Sequence, residues 1–151
     1  MRELTGAEFK IFVDAVRDYF EPVGGNLEVR TAYLSEQTQS ALHPYIGLIR
    51  ISGAFSGQVY LSAPAGLLRQ LLRAYEEPCT DEASLLDVAG EVANTLAGSV
   101  RRHLGSALEI SVPEVIGPGS KPPANIRNRA YTIALSWRGF EGIVVVDLVV
   151  S

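Results

Sequence analysis

The chain has 151 residues, 47% hydrophobic and 20% charged, which suits one globular domain with a real core and excludes a disordered, charge-rich segment. Its net charge is −4 with no basic block, which argues against a nucleic-acid partner, because duplex binding needs a clustered positive footprint. No apolar run reaches the roughly 18 residues of a membrane span and the N-terminus carries no secretion pattern, so the expectation is a single cytoplasmic domain over residues 1–151, with no membrane contact. Cys79 is the only cysteine, so no internal disulfide can form.

In chain order, the spacing predicts a helix from Gly6 to Phe20. Thr5 and Glu8 fit a capping box, and Phe9, Phe12, Val13, Val16 and Phe20 form its apolar face. Leu27 to Leu34 alternates as a strand with one buried face, and Ser35 to Ser40 is a polar connection. Tyr45–Ser52 and Gln58–Ser62 read as two strands around a Gly53–Gly57 turn, an antiparallel hairpin. Pro64 opens a helix whose apolar face is Leu67, Leu68, Leu71, Leu72 and Tyr75.

Asp81 to Leu104 is predicted as one long amphipathic helix, about 36 Å at 1.5 Å per residue. Thr80 is placed to cap it, Asp81 and Glu82 match the positive end of its dipole, and Arg101, Arg102 and His103 match the other end before Gly105. Leu108 to Val115 reads as a strand disturbed at Pro113, and Gly117 to Asn128 as a loop. Tyr131 to Trp137 alternates cleanly, and Gly142 to Val150 is apolar enough to be central or covered on both faces. Three helices and about six strands dominated by hairpins give an α+β architecture, a largely antiparallel sheet with helices packed on one face.

The chemistry is concentrated on the long helix. His43 and His103 have no metal-ligand spacing, and no nucleophile elbow, P-loop or dinucleotide fingerprint occurs. At 100° per residue, Asp87, Glu91, Asn94 and Gly98 fall on one narrow strip that Arg101 and Arg102 continue, opposite the apolar stripe. Gly90 and Gly98 each cost roughly 1 kcal/mol against alanine, which suggests a close approach by another backbone or a partner. A solvated face with small residues for internal packing is the alternative. Glu91 and Asn94 are surface neighbours; an amide can both donate to and accept from a water, and a carboxylate can pair with a lysine. Neither is a nucleophile by itself, so the pair makes most sense completing another protein's active site.

These residues resemble the signature of the CheC/CheX/FliY chemotaxis phosphatases, the CheX branch most closely. An acidic residue, then E-x-x-N, then small residues including glycine stand here as Asp87, Glu91, Asn94 and Gly98. A following segment similar to I-S-x-P-x-V/I-I-x-G is present from Ile110 to Gly117, and Tyr45 to Ser62 looks like the family's hairpin. Members of the two-site branch carry two E-x-x-N helices; this chain has one.

The resemblance implies a phosphatase that accelerates hydrolysis of the phosphoaspartate of a CheY-type response regulator, in chemotaxis or a related two-component pathway. Asn94 would orient the attacking water and Glu91 would pair with the regulator's lysine. Asp87, Gly90, Gly98 and Arg101 would surround them as partner-binding positions. The protein would bring no cofactor of its own, with Mg2+ supplied in the partner's receiver domain. That branch can also form a homodimer through sheet edges. The competing reading is a non-catalytic receiver-binding or adaptor module with the same fold. A small-molecule site under the Gly117–Asn128 loop has no motif behind it.

Overall fold

The structure is a computed structural model and describes residues 2–33, 42–105, 107–121, 123 and 130–151. Among these are three helices, α1 (Gly6–Phe20), α2 (Ala65–Ala74) and α3 (Glu82–Leu104). Seven strands accompany them: β1 (Glu28–Tyr33), β2 (Tyr45–Gly53), β3 (Phe55–Ala63), β4 (Leu108–Ile110), β5 (Glu114–Ile116), β6 (Tyr131–Trp137) and β7 (Phe140–Val150). All pair antiparallel in one sheet, ordered β1-β6-β7-β3-β2-β4, with β5 also on β2. The single strand expected from Leu108 to Val115 is thus two short strands, split where Pro113 removes a ladder donor.

The alternation of each central strand decides which face meets the helices. Ile49, Ile51, Val59, Leu61, Val144, Val146, Ile133 and Leu135 join the apolar faces of all three helices in one core. The opposite face is also buried at its centre, where Ile46, Leu48, Tyr60 and Val145 form a smaller cluster. β7 lies between β6 and β3 and buries every residue from Val144 to Leu148, as its continuous apolar run predicts. In the buried layer Asp147 accepts a hydrogen bond from Gln58, and burial, then the nearby Asp147 charge, pushes the Tyr60 hydroxyl up to about 12.

Several local expectations differ. β1 is an edge strand and only Val29 is half-buried, so the expected buried face is not there: alternation alone does not say whether a neighbour covers it. Leu34 and the Ser35–Ser40 connection lie outside the described residues, as do residues 122 and 124–128 of the expected loop. β3 begins at Phe55 rather than Gln58 because its first residues pair with β7, as Phe55 does with Val150. Tyr75 is the C-terminal cap of α2 and is 49% exposed, not part of its buried face.

Candidate functional site

The position of α3 is fixed by backbone contact. A Cβ on Gly47 of β2 would lie 2.1 Å from the carbonyl oxygen of Ala89 and 3.0 Å from the nitrogen of Gly90. Only glycine at position 47 lets α3 seat this closely, and Leu85, Val88, Ala89, Val92, Ala93, Leu96 and Val100 are buried beneath it. Asp81, not Thr80, caps the helix: its Oδ1 accepts from the Ser84 amide at 2.9 Å. Two adjacent capping residues compete here, and the helix begins one residue later than the sequence suggests. Hydrogen bonding from Ser84 lowers the Asp81 carboxyl below its ordinary range. At the other end Gly105 takes φ 107° and its amide bonds the Arg101 carbonyl.

With the underside committed to β2, the opposite strip faces outward. Asp87, Glu91, Asn94 and Arg101 are all exposed, and Gly98 is half-exposed. Among the described residues, none of the four side chains Asp87, Glu91, Asn94 and Arg101 makes a hydrogen bond or ion pair. Asp87 and Glu91 stand four residues apart, a like-charge arrangement that costs a helix about 0.2–0.5 kcal/mol. The two glycines separate. Gly90 is buried, and a Cβ there would meet Val115 Cγ1 at 3.0 Å and Pro113 Cβ at 3.4 Å, so internal packing accounts for it. Gly98 has only the Arg102 guanidinium nearby, at 3.9 Å from an added Cβ, so that part of the strip is open.

The flanks of the strip were not legible from the sequence. On the side of β4 and β5, Ser111 clamps the connection to β2. Its Oγ accepts from the Arg50 amide at 2.9 Å and its own amide donates to the Arg50 carbonyl at 3.0 Å. That clamp sets Pro113 and Val115 over Gly90 and leaves Val112 outward. On the side of α1, the Tyr19 and Tyr75 hydroxyls share a hydrogen bond. Burial, then the bond to Tyr75, and then the charges of Tyr75 and Glu91 raise the Tyr19 hydroxyl, keeping it protonated. Tyr19 and Tyr75 are 56 residues apart in sequence, so no spacing rule joins them to Glu91.

Chemically, the strip offers two carboxylates, Asp87 and Glu91, with the Asn94 carboxamide less than a turn from Glu91 and the Arg101 guanidinium further along. Among the described residues no three His, Cys, Asp or Glu side chains gather as metal ligands. A separate cleft on the β1–β6 side is lined by Arg17, Glu28, Arg30, His43, Ser136 and Glu141 and contains none of the strip residues. No described helix is long and apolar enough to cross a membrane.

A family profile described as "Chemotaxis phosphatase CheX" matches residues 45–137, more than half of the chain and all of α3. No curated protein sequence matches. Among solved structures, a CheC-like chemotactic protein from Shewanella oneidensis aligns with a TM-score of 0.83 at 15% identity, covering 96% of this chain and 100% of that one. CheX from Vibrio vulnificus gives 0.78 at 18% identity over 95% and 100% of the two chains. CheX from Borrelia burgdorferi, in a complex with CheY, BeF3 and Mg2+, gives 0.77 at 16% identity over 93% and 97%. At these identities the likeness is one of fold: helices on one face of an antiparallel sheet.

Proposed function

This chain belongs to the CheX family of chemotaxis phosphatases, and from that premise we propose that it accelerates hydrolysis of the phosphoaspartate of a CheY-type response regulator through Glu91 and Asn94. The observation that carries the reading is the state of those two side chains. Both are exposed and neighbouring, and neither bonds a described residue, on a helix whose other face is locked to the sheet. The Borrelia relative is a CheX bound to CheY with BeF3 and Mg2+, which supports a receiver domain as the partner.

In this reading the reaction is assembled from two proteins. The receiver supplies the phosphoaspartate and the Mg2+; this chain supplies no cofactor. The water oxygen forms a bond to phosphorus as the bond to the aspartyl oxygen breaks, which releases phosphate and regenerates the carboxylate. Acyl phosphate hydrolysis is already favourable, so what is needed is an in-line water held in place. The Asn94 carboxamide accepts one hydrogen bond from that water and donates another to the site, without acting as a base. Glu91 pairs with the receiver's lysine, which docks the helix and relieves its repulsion with Asp87. Asp87, Gly98 and Arg101 border the docking strip; Gly90 acts from beneath by seating the β4–β5 connection. Cytoplasmic action follows from a receiver as substrate. Among the described residues β1 has a neighbour on one side only, and homodimerisation through sheet edges belongs to the same proposal.

The test is Asn94→Ala. The exposed substitution shifts stability by about 0.5 kcal/mol or less, while turnover of a phosphorylated receiver falls by about 10²–10³. Receiver binding without any acceleration by the unaltered protein would instead favour an adaptor module.

A further inference from the structure

A glycine inside a helix or strand needs a reason, and among the described residues Gly98 is the one whose reason is not internal. A Cβ on Gly47 would run into the Ala89 carbonyl and one on Gly66 into the Phe140 ring. On Gly90 it would meet Val115 at 3.0 Å, and on Gly142 it would meet Leu67 at 3.3 Å. Gly53 and Gly57 take positive φ, and Gly6 is the first residue of α1. Gly98 lies well inside α3 without positive φ, and an added Cβ would meet nothing nearer than the Arg102 guanidinium at 3.9 Å. Alanine there would stabilise the helix by about 1 kcal/mol.

The effect of Gly98 is to leave Asn94 uncovered. The two stand four residues apart, on one line of the outward strip. Helical side chains lean toward the N-terminus, so a long side chain at position 98 would lie back over the Asn94 carboxamide. Arg102 shows that direction within α3, its guanidinium reaching back to Gly98 four residues earlier. Ala97, three residues after Asn94, is 1% exposed and offers only a methyl group. The surface on the C-terminal side of Asn94 is therefore nearly bare helix backbone. Asparagine is short, so its carboxamide enters another protein's site only where the helix backbone itself comes close.

We propose that Gly98 is the floor of a docking recess that admits receiver backbone beside the phosphoaspartate, and that this close approach brings Asn94 within reach of the attacking water. This rests on the receiver as partner, as proposed above. Asn94 then lies between Glu91, which pairs with the receiver's lysine, and a bare turn that the receiver's backbone covers. The Arg102 guanidinium borders the recess as the far end of a flexible side chain and yields to the incoming backbone. A misplacement of about 1 Å costs on the order of 10² in rate. A single methyl group at position 98 is therefore felt in docking and turnover, although the fold gains from it.

The experiment sets thermal melts of the full chain beside its kinetics on a co-encoded CheY-type receiver, phosphorylated by a small-molecule phosphodonor in Mg2+. Gly98→Ala melts higher than the parent, yet its kcat/KM falls about tenfold. Gly98→Leu loses about a hundredfold, and the loss persists at saturating receiver because its side chain covers Asn94. Gly6→Ala, where an added Cβ also meets nothing within 4 Å, leaves the kinetics unchanged. Affinity is read by titrating the same receiver, fluorescently labelled, into proteins that also carry Asn94→Ala, so that turnover does not deplete the complex; adding Gly98→Ala weakens binding about tenfold. Stability and activity moving in opposite directions is a result that a purely structural glycine does not give. Parent-like kinetics in both Gly98 variants, or a Gly98→Ala protein that melts lower than the parent, would overturn the recess and leave the phosphatase reading intact. Receiver binding that is weakened by Gly98→Ala, without any acceleration by the unaltered protein, would uphold the recess and overturn the phosphatase. No receiver binding at all would overturn both.

Discussion

On α1, Glu8 accepts from Arg2 at 2.7 Å and closes the capping box with Thr5, and Lys10 meets Asp14 at 2.9 Å one turn on. On α3, Asp87, Glu91, Asn94 and Arg101 stand exposed with no hydrogen bond or ion pair to a described residue. Both helices are amphipathic and pack on the same core, so burial does not explain the difference. The polar groups at the start of α1 serve the fold: they satisfy free amides and hold the helix start. Those of α3 bond no described residue, and two of them repel each other.

The comparison can be broken first at the underside of α3. Gly47→Val drives a side chain into the Ala89 carbonyl and costs about 3 kcal/mol or more, read as a lowered denaturation midpoint or failure to fold. A tolerated valine would mean that α3 is not locked to β2, and the outward strip would lose its basis. Next in size are the two interior glycines. Gly98→Ala raises stability by about 1 kcal/mol through helix propensity, because the added methyl meets only the Arg102 guanidinium. Gly90→Ala gains less or loses, since Val115 and Pro113 must move aside. Thermal melts of the two variants give opposite or clearly unequal shifts.

The α1 side sharpens the contrast through pH. Arg2 first, then the Thr5 amide and hydroxyl, hold the Glu8 carboxyl down to about 2 from an ordinary 4.5. A depressed carboxyl contributes stability that is fully present above about pH 4.5 and is lost as pH falls through 2. Glu8→Gln removes that contribution, so the gap between parent and variant stability closes on acidification across this window. Because the pair is largely at the surface, the gap at neutral pH is about 1 kcal/mol. Glu91→Gln gives the smallest effect, within about 0.5 kcal/mol, and relief of the repulsion with Asp87 makes a slight gain the expected sign.

Much of this was readable in the sequence because local rules govern it. The Thr5–Glu8 box is a contact within one turn, and the apolar period of α3 fixes which side is buried and hence that Asp87, Glu91 and Asn94 face out. The apolar run of β7 places it centrally. What escaped depends on contacts distant in sequence. The Tyr19–Tyr75 bond joins two helices, the Ser111 clamp joins β2 to a connection 61 residues away, and the role of Gly90 needs Pro113 and Val115 in place above it. β1 looked half-buried because alternation reports a strand's two faces and not its neighbours. Thr80 and Asp81 can each cap a helix, and only the backbone geometry chooses Asp81.

The most direct test is the decay of a phosphorylated CheY-type receiver co-encoded with this protein, measured alone and with the parent, Glu91→Ala and Asn94→Ala proteins. The account predicts faster decay with the parent, loss of about 10²–10³ of that acceleration with Asn94→Ala at saturating protein, and for Glu91→Ala a deficit that rising concentration partly overcomes. Acceleration that survives Asn94→Ala, or a folded parent that binds the receiver and leaves its decay unchanged, would contradict it.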